Sequence, residues 1–163
     1  MKKIIVIGCP GSGKNTFARQ LHGITGIPLY HLDTMYWNAD RTIVDKAIFR
    51  QRLADALRQD TWIIDGNYAS TMEWRLQACD AVFFLDYPLE ICLQGIRERR
   101  GKPRPDIPWI ETEDDAEFLD FIKNFRSQNR PAMLVLLDDY SDREIHIFTS
   151  RDEAAAYLTQ LQS

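Results

Sequence analysis

The stretch Gly8-Cys9-Pro10-Gly11-Ser12-Gly13-Lys14-Asn15-Thr16 decides the fold of this chain. It follows the apolar run Ile4-Ile5-Val6-Ile7 and opens a segment of helical period. Glycines at these positions let backbone N–H groups turn inward around a polyphosphate, and the positive end of the following helix dipole points at the same place. The stretch is therefore interpreted as a phosphate-binding loop, with Lys14 reaching the terminal phosphates.

One position of this loop departs from the usual pattern. Asn15 follows the lysine, where Ser or Thr normally contacts Mg²⁺. Either the amide oxygen of Asn15 ligates the metal, or the metal is held through water with help from Thr16. The residues predicted to bind the nucleotide in this loop are Gly8, Pro10, Gly11, Ser12, Gly13, Lys14, Asn15 and Thr16.

Length, composition and charge bound the possible functions. A chain of 163 residues, 45% hydrophobic and 11% aromatic, fits one compact domain spanning 1–163. A net charge of −4 gives no general attraction to nucleic acid or to an anionic membrane, so we expect a small-molecule or nucleotide ligand and no direct nucleic-acid binding. Cys9, Cys79 and Cys92 match no metal-ligand spacing and predict reduced thiols in a cytoplasmic protein. No apolar run approaches the ~20 residues of a membrane span.

Five short apolar runs alternate with segments of helical period, which is typical of a parallel sheet with crossover helices. The runs predict strands at about 2–8, 28–32, 61–65, 81–86 and 144–149. The last helix is predicted to start at the capping box Ser150-x-x-Glu153, and Pro131 is predicted to start the helix before the last strand. The fold class is therefore α/β.

Aspartates follow three of the predicted strands, at the edge where open parallel sheets bind ligands. Asp33 is expected to orient an acceptor or to take a proton from its hydroxyl group, with a turn or helix cap as the alternative. Asp65 is expected to hold Mg²⁺ directly or through water, and Gly66 beside it allows close approach of backbone to ligand. Asp86 is better explained as a turn residue before Pro88.

Arginines concentrate in 97–104, although the chain is acidic overall. Guanidinium groups on a closing segment can clamp a transferring phosphoryl group and exclude water. The alternative is a solvated helix end whose cations suit the negative end of the helix dipole. We expect Arg97 and Arg100 to be the clamps, in a lid of about 97–130.

Other candidates surround the predicted acceptor site, which we place in an insert at about 34–60. Trp37 can stack on an acceptor ring or pack in the core. Arg75 can hold an acceptor phosphate or carboxylate. The histidines His22, His31 and His146 show no metal spacing and are interpreted as ordinary polar or core residues. The predicted substrate residues are Asp33, Trp37, Asp65, Gly66, Asn67, Arg75, Arg126 and Arg130.

These motifs resemble the adenylate-kinase-type P-loop phosphotransferases, and most closely the bacterial topology modulation (FlaR-like) proteins. Trp62-Ile63-Ile64-Asp65-Gly66 is similar to a strand end of nucleoside monophosphate kinases, although Asn67-Tyr68 replaces their Phe-Pro-Arg. The closer match includes Lys102-x-Arg104-Pro105-Asp106 and Asn129-Arg130-Pro131. The resemblance implies a three-layer α/β/α fold with strand order 2-3-1-4-5, ATP and Mg²⁺ as ligands, and an adenine site at Phe148-Thr149-Ser150. Ser150 and Arg151 are the nucleotide-binding residues predicted there.

The sequence thus predicts an ATP-dependent phosphotransferase with a small-molecule or nucleotide acceptor. In this hypothesis Lys14 offsets the charge of the β- and γ-phosphates, Asp65 holds Mg²⁺ with Asn15 or Thr16, and Asp33 engages the acceptor. Two alternatives stay open. One is a nucleotide-binding regulator that acts through partners, and the other is slow nucleotide hydrolysis without a dedicated acceptor.

Overall fold

The computed structural model describes residues 1–103 and 116–163. Its centre is a sheet of five parallel strands in the order β2-β3-β1-β4-β5. The strands are β1 Lys3–Gly8, β2 Leu29–His31, β3 Trp62–Asp65, β4 Ala81–Leu85 and β5 Glu144–Phe148. Each bound agrees with the predicted strand to within one residue, and the predicted strand order is confirmed.

Eight helices lie in the described part of the chain. They are α1 Lys14–Thr25, α2 Leu32–Tyr36, α3 Lys46–Leu57, α4 Ala69–Ala78, α5 Leu89–Arg99, α6 Ala116–Gln128, α7 Arg130–Asp139 and α8 Arg151–Gln162. Pro131 lies in the first turn of α7, as predicted, because its missing N–H is not needed there. At α8 the Ser150 hydroxyl accepts a hydrogen bond from the Glu153 N–H, while the Glu153 carboxylate accepts from Thr149 rather than from the Ser150 backbone.

The core follows from the position of β1 between β3 and β4. Ile4-Ile5-Val6-Ile7 and the strand residues of β4 are all buried, including consecutive residues whose side chains point to opposite faces of the sheet. Burial on both faces shows that helices cover both sides, which is the usual environment of parallel strands. The carboxyl ends of the strands therefore meet at one edge, where loops reach a common space.

Residues 104–115 lie outside the described residues. They include Arg104, Pro105 and Asp106 of the motif above, and they form the middle of the predicted lid at 97–130. The division of the chain into a domain, an acceptor-binding insert and a lid stays a prediction. Of the helices in the described residues, none combines the length and the apolar character that crossing a bilayer requires.

Candidate functional site

The phosphate loop joins β1 to α1 and leaves the first amides of α1 without a partner side chain. Gly13 caps α1 in the left-handed conformation, with φ 92°, and no side chain caps this helix or places an acid in its first turn. A Cβ atom at Gly13 would meet nothing within 4 Å, and the Ser12 hydroxyl is buried without a hydrogen-bond partner in the described structure. An uncapped helix start, open space and an unpaired hydroxyl fit a polyphosphate.

The backbone of helix α5 is in direct contact with the backbone of this loop. A Cβ atom at Gly11 would lie 2.1 Å from the carbonyl oxygen of Cys92, and one at Gly95 would lie 2.0 Å from the carbonyl oxygen of Gly11. Only glycine fits at either position, because no other residue lacks the Cβ atom. The position of the loop therefore depends on its contact with α5 as well as on its connections to β1 and α1.

Asn67 fixes the start of the loop. Its side-chain oxygen accepts a hydrogen bond from the Gly8 N–H at 3.1 Å, and its amide nitrogen donates to the Gly8 carbonyl at 2.7 Å. Both polar ends of the side chain are therefore engaged by backbone. The side chain ties the β3–α4 connection to the phosphate loop, and the substrate contact proposed for Asn67 stays a prediction.

Lys14 lies between the loop and two carboxylates. Its side chain is half-buried, and its Nζ donates to the Cys9 carbonyl at 3.4 Å. Burial lowers the pKa of Lys14, while the carboxylates of Asp33 and Asp65 act in the opposite direction. A cation in this position can bind the phosphates held by the loop.

Asp65 is held by a histidine that the sequence analysis did not assign to the site. Asp65 is buried, and the Nδ1–H of His31 donates to its Oδ2 at 2.8 Å. The amide nitrogen of Asn15 lies 3.4 Å from the same ring nitrogen, and the Asn15 oxygen accepts from Arg19 Nε at 2.9 Å. His31 is the last residue of β2, at the sheet edge where parallel sheets of this kind bind ligands. This position at a strand end could have assigned His31 to the site from sequence alone.

The fit of Mg²⁺ can be judged from these donors. The described residues contain no cluster of three His, Cys, Asp or Glu side chains that could hold a metal alone. Mg²⁺ usually needs only one or two carboxylates, with phosphate oxygens and waters completing its shell. Asp65 and Asp33 beside Lys14 fit that requirement. The predicted ligand oxygen of Asn15 is engaged by Arg19, and Thr16 is exposed in the first turn of α1.

The acceptor side of the site is built around Asp33. The hydroxyl of Tyr68 donates to Asp33 Oδ1 in a short hydrogen bond. Burial, followed by the charge of Asp33, raises the pKa of Tyr68, so the hydroxyl stays protonated and the carboxylate stays the acceptor. Tyr68 also packs on the rings of Tyr36 and Phe49, with centroids 4.8 and 5.5 Å away. Tyr68 is a further residue that the sequence analysis left out of the site.

One cavity of about 1510 Å³ joins these parts. The phosphate loop lines its centre, and Asp33, Trp37 and Arg41 line the acceptor side. The first residues of α8 and the aromatic face of α6 line other parts of the wall. Of the residues predicted for the site, the cavity brings together Pro10, Gly11, Ser12, Gly13, Lys14, Asn15, Thr16, Asp33, Trp37, Asp65, Gly66, Asn67 and Arg151.

At the end of α5, the arginine that lines the cavity is Arg99 and not the predicted Arg97 or Arg100. Arg99 lines the cavity, its charge lowers the pKa of Lys14, and its guanidinium carbon lies 5.8 Å from the centre of the Phe118 ring. Arg97 and Arg100 are exposed and do not line the cavity in the described structure. Arg97 precedes Arg99 by two residues on α5, so the two side chains leave the helix on different faces.

Arg75 does not fit its predicted role in acceptor binding. The residue is fully buried in α4, with 0% of its surface exposed. Its guanidinium donates to the carbonyl oxygens of Gly66, Asn67 and Tyr68, and its Nε donates to the Thr71 hydroxyl at 3.2 Å. Arg75 therefore shapes the β3–α4 connection from within the protein.

Arg126 and Arg130 also do not line the cavity in the described structure. Arg130 binds the buried Asp86 with two nitrogens, at 2.9 Å from Oδ1 and 2.8 Å from Oδ2. Arg126 Nη1 lies 3.6 Å from the same carboxylate. The substrate contacts predicted for these arginines do not fit this arrangement. Asp86 was predicted as a turn residue before Pro88, and the structure instead pairs its carboxylate with arginines of α6 and α7.

Of the two nucleotide contacts predicted at the start of α8, one residue lines the cavity and the other does not. The Ser150 hydroxyl caps α8 and does not line the cavity in the described structure. Arg151 does line it, and its Nη2 lies 3.4 Å from the Glu98 carboxylate of α5. Arg151 therefore remains a candidate for nucleotide contact, while Ser150 holds the helix that carries it.

Comparison with solved structures shows the same fold in shikimate kinases. The shikimate kinase from Acinetobacter baumannii, in complex with shikimate, matches with a TM-score of 0.63 at 19% identity, covering 99% of this chain and 90% of that one. The shikimate kinase from Bacteroides thetaiotaomicron matches with a TM-score of 0.56 at 18% identity, covering 98% and 95%. No protein-family model and no curated protein sequence matched the chain. The likeness establishes a P-loop kinase fold, and the resemblance to topology modulation proteins is not confirmed.

Proposed function

We propose that this protein is an ATP-dependent phosphotransferase that moves the γ-phosphoryl group to a small acceptor. The observation that carries the proposal is that a single cavity holds the uncapped amides of the phosphate loop, Lys14, and the Asp33–Tyr68 pair. A donor site and a separate hydrogen-bonding site in one space are what transfer between two molecules requires.

Each residue then has a task that its position allows. The α1 amides and Lys14 bind the phosphates and offset their charge. Asp33 accepts a hydrogen bond from the acceptor hydroxyl and can take its proton, while Tyr68 holds the carboxylate in place. Mg²⁺ bound with the nucleotide supplies charge neutralisation, and Asp65, oriented by His31, is the residue we propose to hold it. Arg99 stabilises negative charge from the α5 side.

The acceptor side favours a compact hydroxyl compound. Trp37 offers a flat face, and Arg41 a cation suited to a carboxylate or phosphate. Shikimate, with which one of the similar structures is in complex, therefore belongs among the acceptors to be tested, together with nucleoside monophosphates. A nucleotide-binding regulator would account for the phosphate loop but would leave the Asp33–Tyr68 pair without a task, so we do not favour it.

The test is ADP release by the purified protein with ATP and Mg²⁺, measured with and without each acceptor. Acceptor-dependent turnover far above the blank is expected for at least one compound. Lys14→Met should lower turnover by several orders of magnitude while the fold survives, because the lysine acts on charge in the site. Nucleotide binding without any acceptor-dependent turnover would contradict the proposal and favour a regulator. Turnover that no acceptor accelerates would favour simple hydrolysis.

Two arginines of α5 give a matched pair for the same assay. Arg99→Gln should reduce turnover by about 10²-fold or more, as expected for loss of a group that stabilises transition-state charge. Arg97→Gln removes an equal charge from the exposed side of the same helix and should change turnover less than about twofold. Equal losses from both variants would show that Arg99 acts only through the general field of the protein.

A further inference from the structure

Strand β5 forms an open edge of the sheet. It pairs with β4 on one side, and among residues 1–103 and 116–163 no strand pairs with its other side. Only Phe148 of this strand is buried, and Ile147 is 43% exposed. Edge strands normally carry a lysine, a proline or a bulge that blocks pairing with another chain. Strand β5 contains neither lysine nor proline, and its register with β4 is continuous, so this edge is open to a further strand.

The pairing with β4 shows which backbone groups of β5 face outward. The N–H of Glu144 donates to the carbonyl of Asp80 at 3.0 Å, and the carbonyl of Phe148 accepts a hydrogen bond from the chain just after β4 at 2.8 Å. Successive residues of a paired strand direct their backbone groups to opposite sides of the strand. The even-numbered residues of β5 therefore bond to β4, while the N–H and C=O groups of Ile145 and Ile147 lie on the outer side.

A second copy of β5 matches these outward groups when the two strands run antiparallel about a two-fold axis at His146. Ile145 of each copy then lies opposite Ile147 of the other, so all the outward groups exchange hydrogen bonds and the apolar side chains pair on one face. On the other face, the carboxylate of Glu144 is bonded to the His146 ring of its own chain at 3.0 Å. The axis places this carboxylate diagonally across from the imidazole of the second copy, so the charged groups are complementary.

The ends of the strand favour this register over its neighbours. A shift of the pairing by two residues would require either the N–H of Arg143 or the N–H of Thr149 to bond across the axis. The first already donates to the carbonyl of Tyr140 at 3.0 Å, and the second donates to the carboxylate of Glu153 at 3.2 Å. Only the register centred on His146 uses the outward groups of β5 without breaking a hydrogen bond within the chain.

The helices before and after β5 add surface without charge. Residues 131–137 of α7 and 154–163 at the end of the chain include no Asp, Glu, Lys or Arg, although 27% of the chain is charged. Val135 of α7 is 62% exposed, and Ala156 of α8 is exposed as well. Two paired strands of five residues cover only part of the about 800 Å² that each partner of a stable interface buries. Neutral helix surface can supply the remainder without removing charges from water.

We propose that two copies of this chain associate through β5, with the five strands of each copy in one continuous sheet about a two-fold axis at His146. The match between Ile145 and Ile147 is a property of this strand paired with itself, which favours a second copy over a strand of another protein. The pairing covers the outer side of both β5 strands, so assembly through this edge stops at two chains. It does not depend on the proposed function and is measured without nucleotide.

The test is the mass of the purified protein in solution, measured by sedimentation equilibrium between about 1 and 100 μM. A mass of two chains is expected at the upper end of this range. Ile147→Lys places a charge in the paired strand and should weaken association by about 100-fold or more, because each pair of chains carries the change twice. The matched control is Ile48→Lys on α3, where the isoleucine is 48% exposed, and it should shift the dissociation constant less than about twofold.

A disulfide placed on the axis tests the register. His146→Cys brings two sulfurs face to face, because directly opposite residues of this kind have Cα atoms about 4.5 Å apart, within disulfide range. Ile147→Cys leaves its two sulfurs on a diagonal of about 7–8 Å between Cα atoms, beyond that range. The three native cysteines are buried. Electrophoresis without reduction, after mild oxidation, should therefore show linked chains for His146→Cys and single chains for Ile147→Cys.

Several results would overturn the proposal. They are a mass of one chain at every concentration, equal effects of the two lysine variants, growth beyond two chains, and linkage either of Ile147→Cys or of neither cysteine variant. A mass of one chain would leave the edge to a strand of a different protein. The mass of the wild-type protein decides the association even where a variant fails to fold.

Discussion

Replacing Arg75 by methionine tests whether this arginine is structural or binds the acceptor. Its guanidinium donates to three backbone carbonyls of residues 66–68 and is fully buried. Methionine fills much of the same volume but leaves those carbonyls without their charged donor. An unsatisfied buried polar group costs about 1–3 kcal/mol, and relaxation toward water recovers part of that. We therefore expect Arg75→Met to lower the free energy of unfolding by about 3–5 kcal/mol.

Urea denaturation followed by circular dichroism measures this loss. With an m-value of about 2 kcal/mol/M, a loss of about 4 kcal/mol moves the midpoint by about 2 M. In a chain of this size it lowers Tm by about 8–16 °C. Arg97→Met is the matched control, because Arg97 is exposed on α5, and its free energy of unfolding should change by less than about 0.5 kcal/mol.

The refuting result is equally specific. If Arg75→Met loses less than about 1 kcal/mol of stability while KM for the acceptor rises about tenfold or more, the guanidinium reaches the acceptor, as the sequence pattern predicted, and the buried geometry described above is wrong. A stability loss with unchanged acceptor KM in the folded fraction supports the structural role.

Three further predictions concern the phosphate loop. Gly95→Ala places a Cβ atom 2.0 Å from the Gly11 carbonyl oxygen, so it should lower the free energy of unfolding by about 1–3 kcal/mol and weaken nucleotide binding measured by calorimetry. The control Gly23→Ala meets nothing within 4 Å and should be neutral or stabilising. Equal effects of the two variants would contradict the contact between Gly95 and Gly11. Asn15→Thr should lower the Mg²⁺ concentration needed for half-maximal turnover, and identical titrations would show that this position does not contact the metal. Because burial lowers the pKa of Lys14, this side chain loses its charge at a lower pH than an exposed lysine does. We therefore expect kcat/KM to fall with rising pH before an exposed lysine would titrate. A flat pH profile in that range would show that the charge of Lys14 does not contribute to nucleotide binding.

Local sequence predicted the glycine loop and the elements that flank it. The run Ile4–Ile7, the glycine loop and the helix at Lys14 are contiguous, and the conformation of each depends mainly on neighbours within a few residues. The alternation of apolar runs and helical segments likewise predicted the parallel sheet and its strands, because fully buried strands need uninterrupted apolar residues. Asp33 and Asp65 were found from the rule that strand ends meet at one edge.

The roles of the long polar side chains were decided by tertiary structure alone. Arg75, Arg126 and Arg130 were predicted to contact substrate, yet Arg75 is buried against the β3–α4 connection and the other two bind Asp86. Arg99 lines the cavity where Arg97 was expected, since the face that a helix presents depends on how the whole helix packs. A guanidinium can reach several partners from one backbone position, and the partner it takes depends on charges and carbonyls brought near it from distant parts of the chain. Backbone pattern is encoded locally, but the partners of the long side chains exist only after the chain has folded.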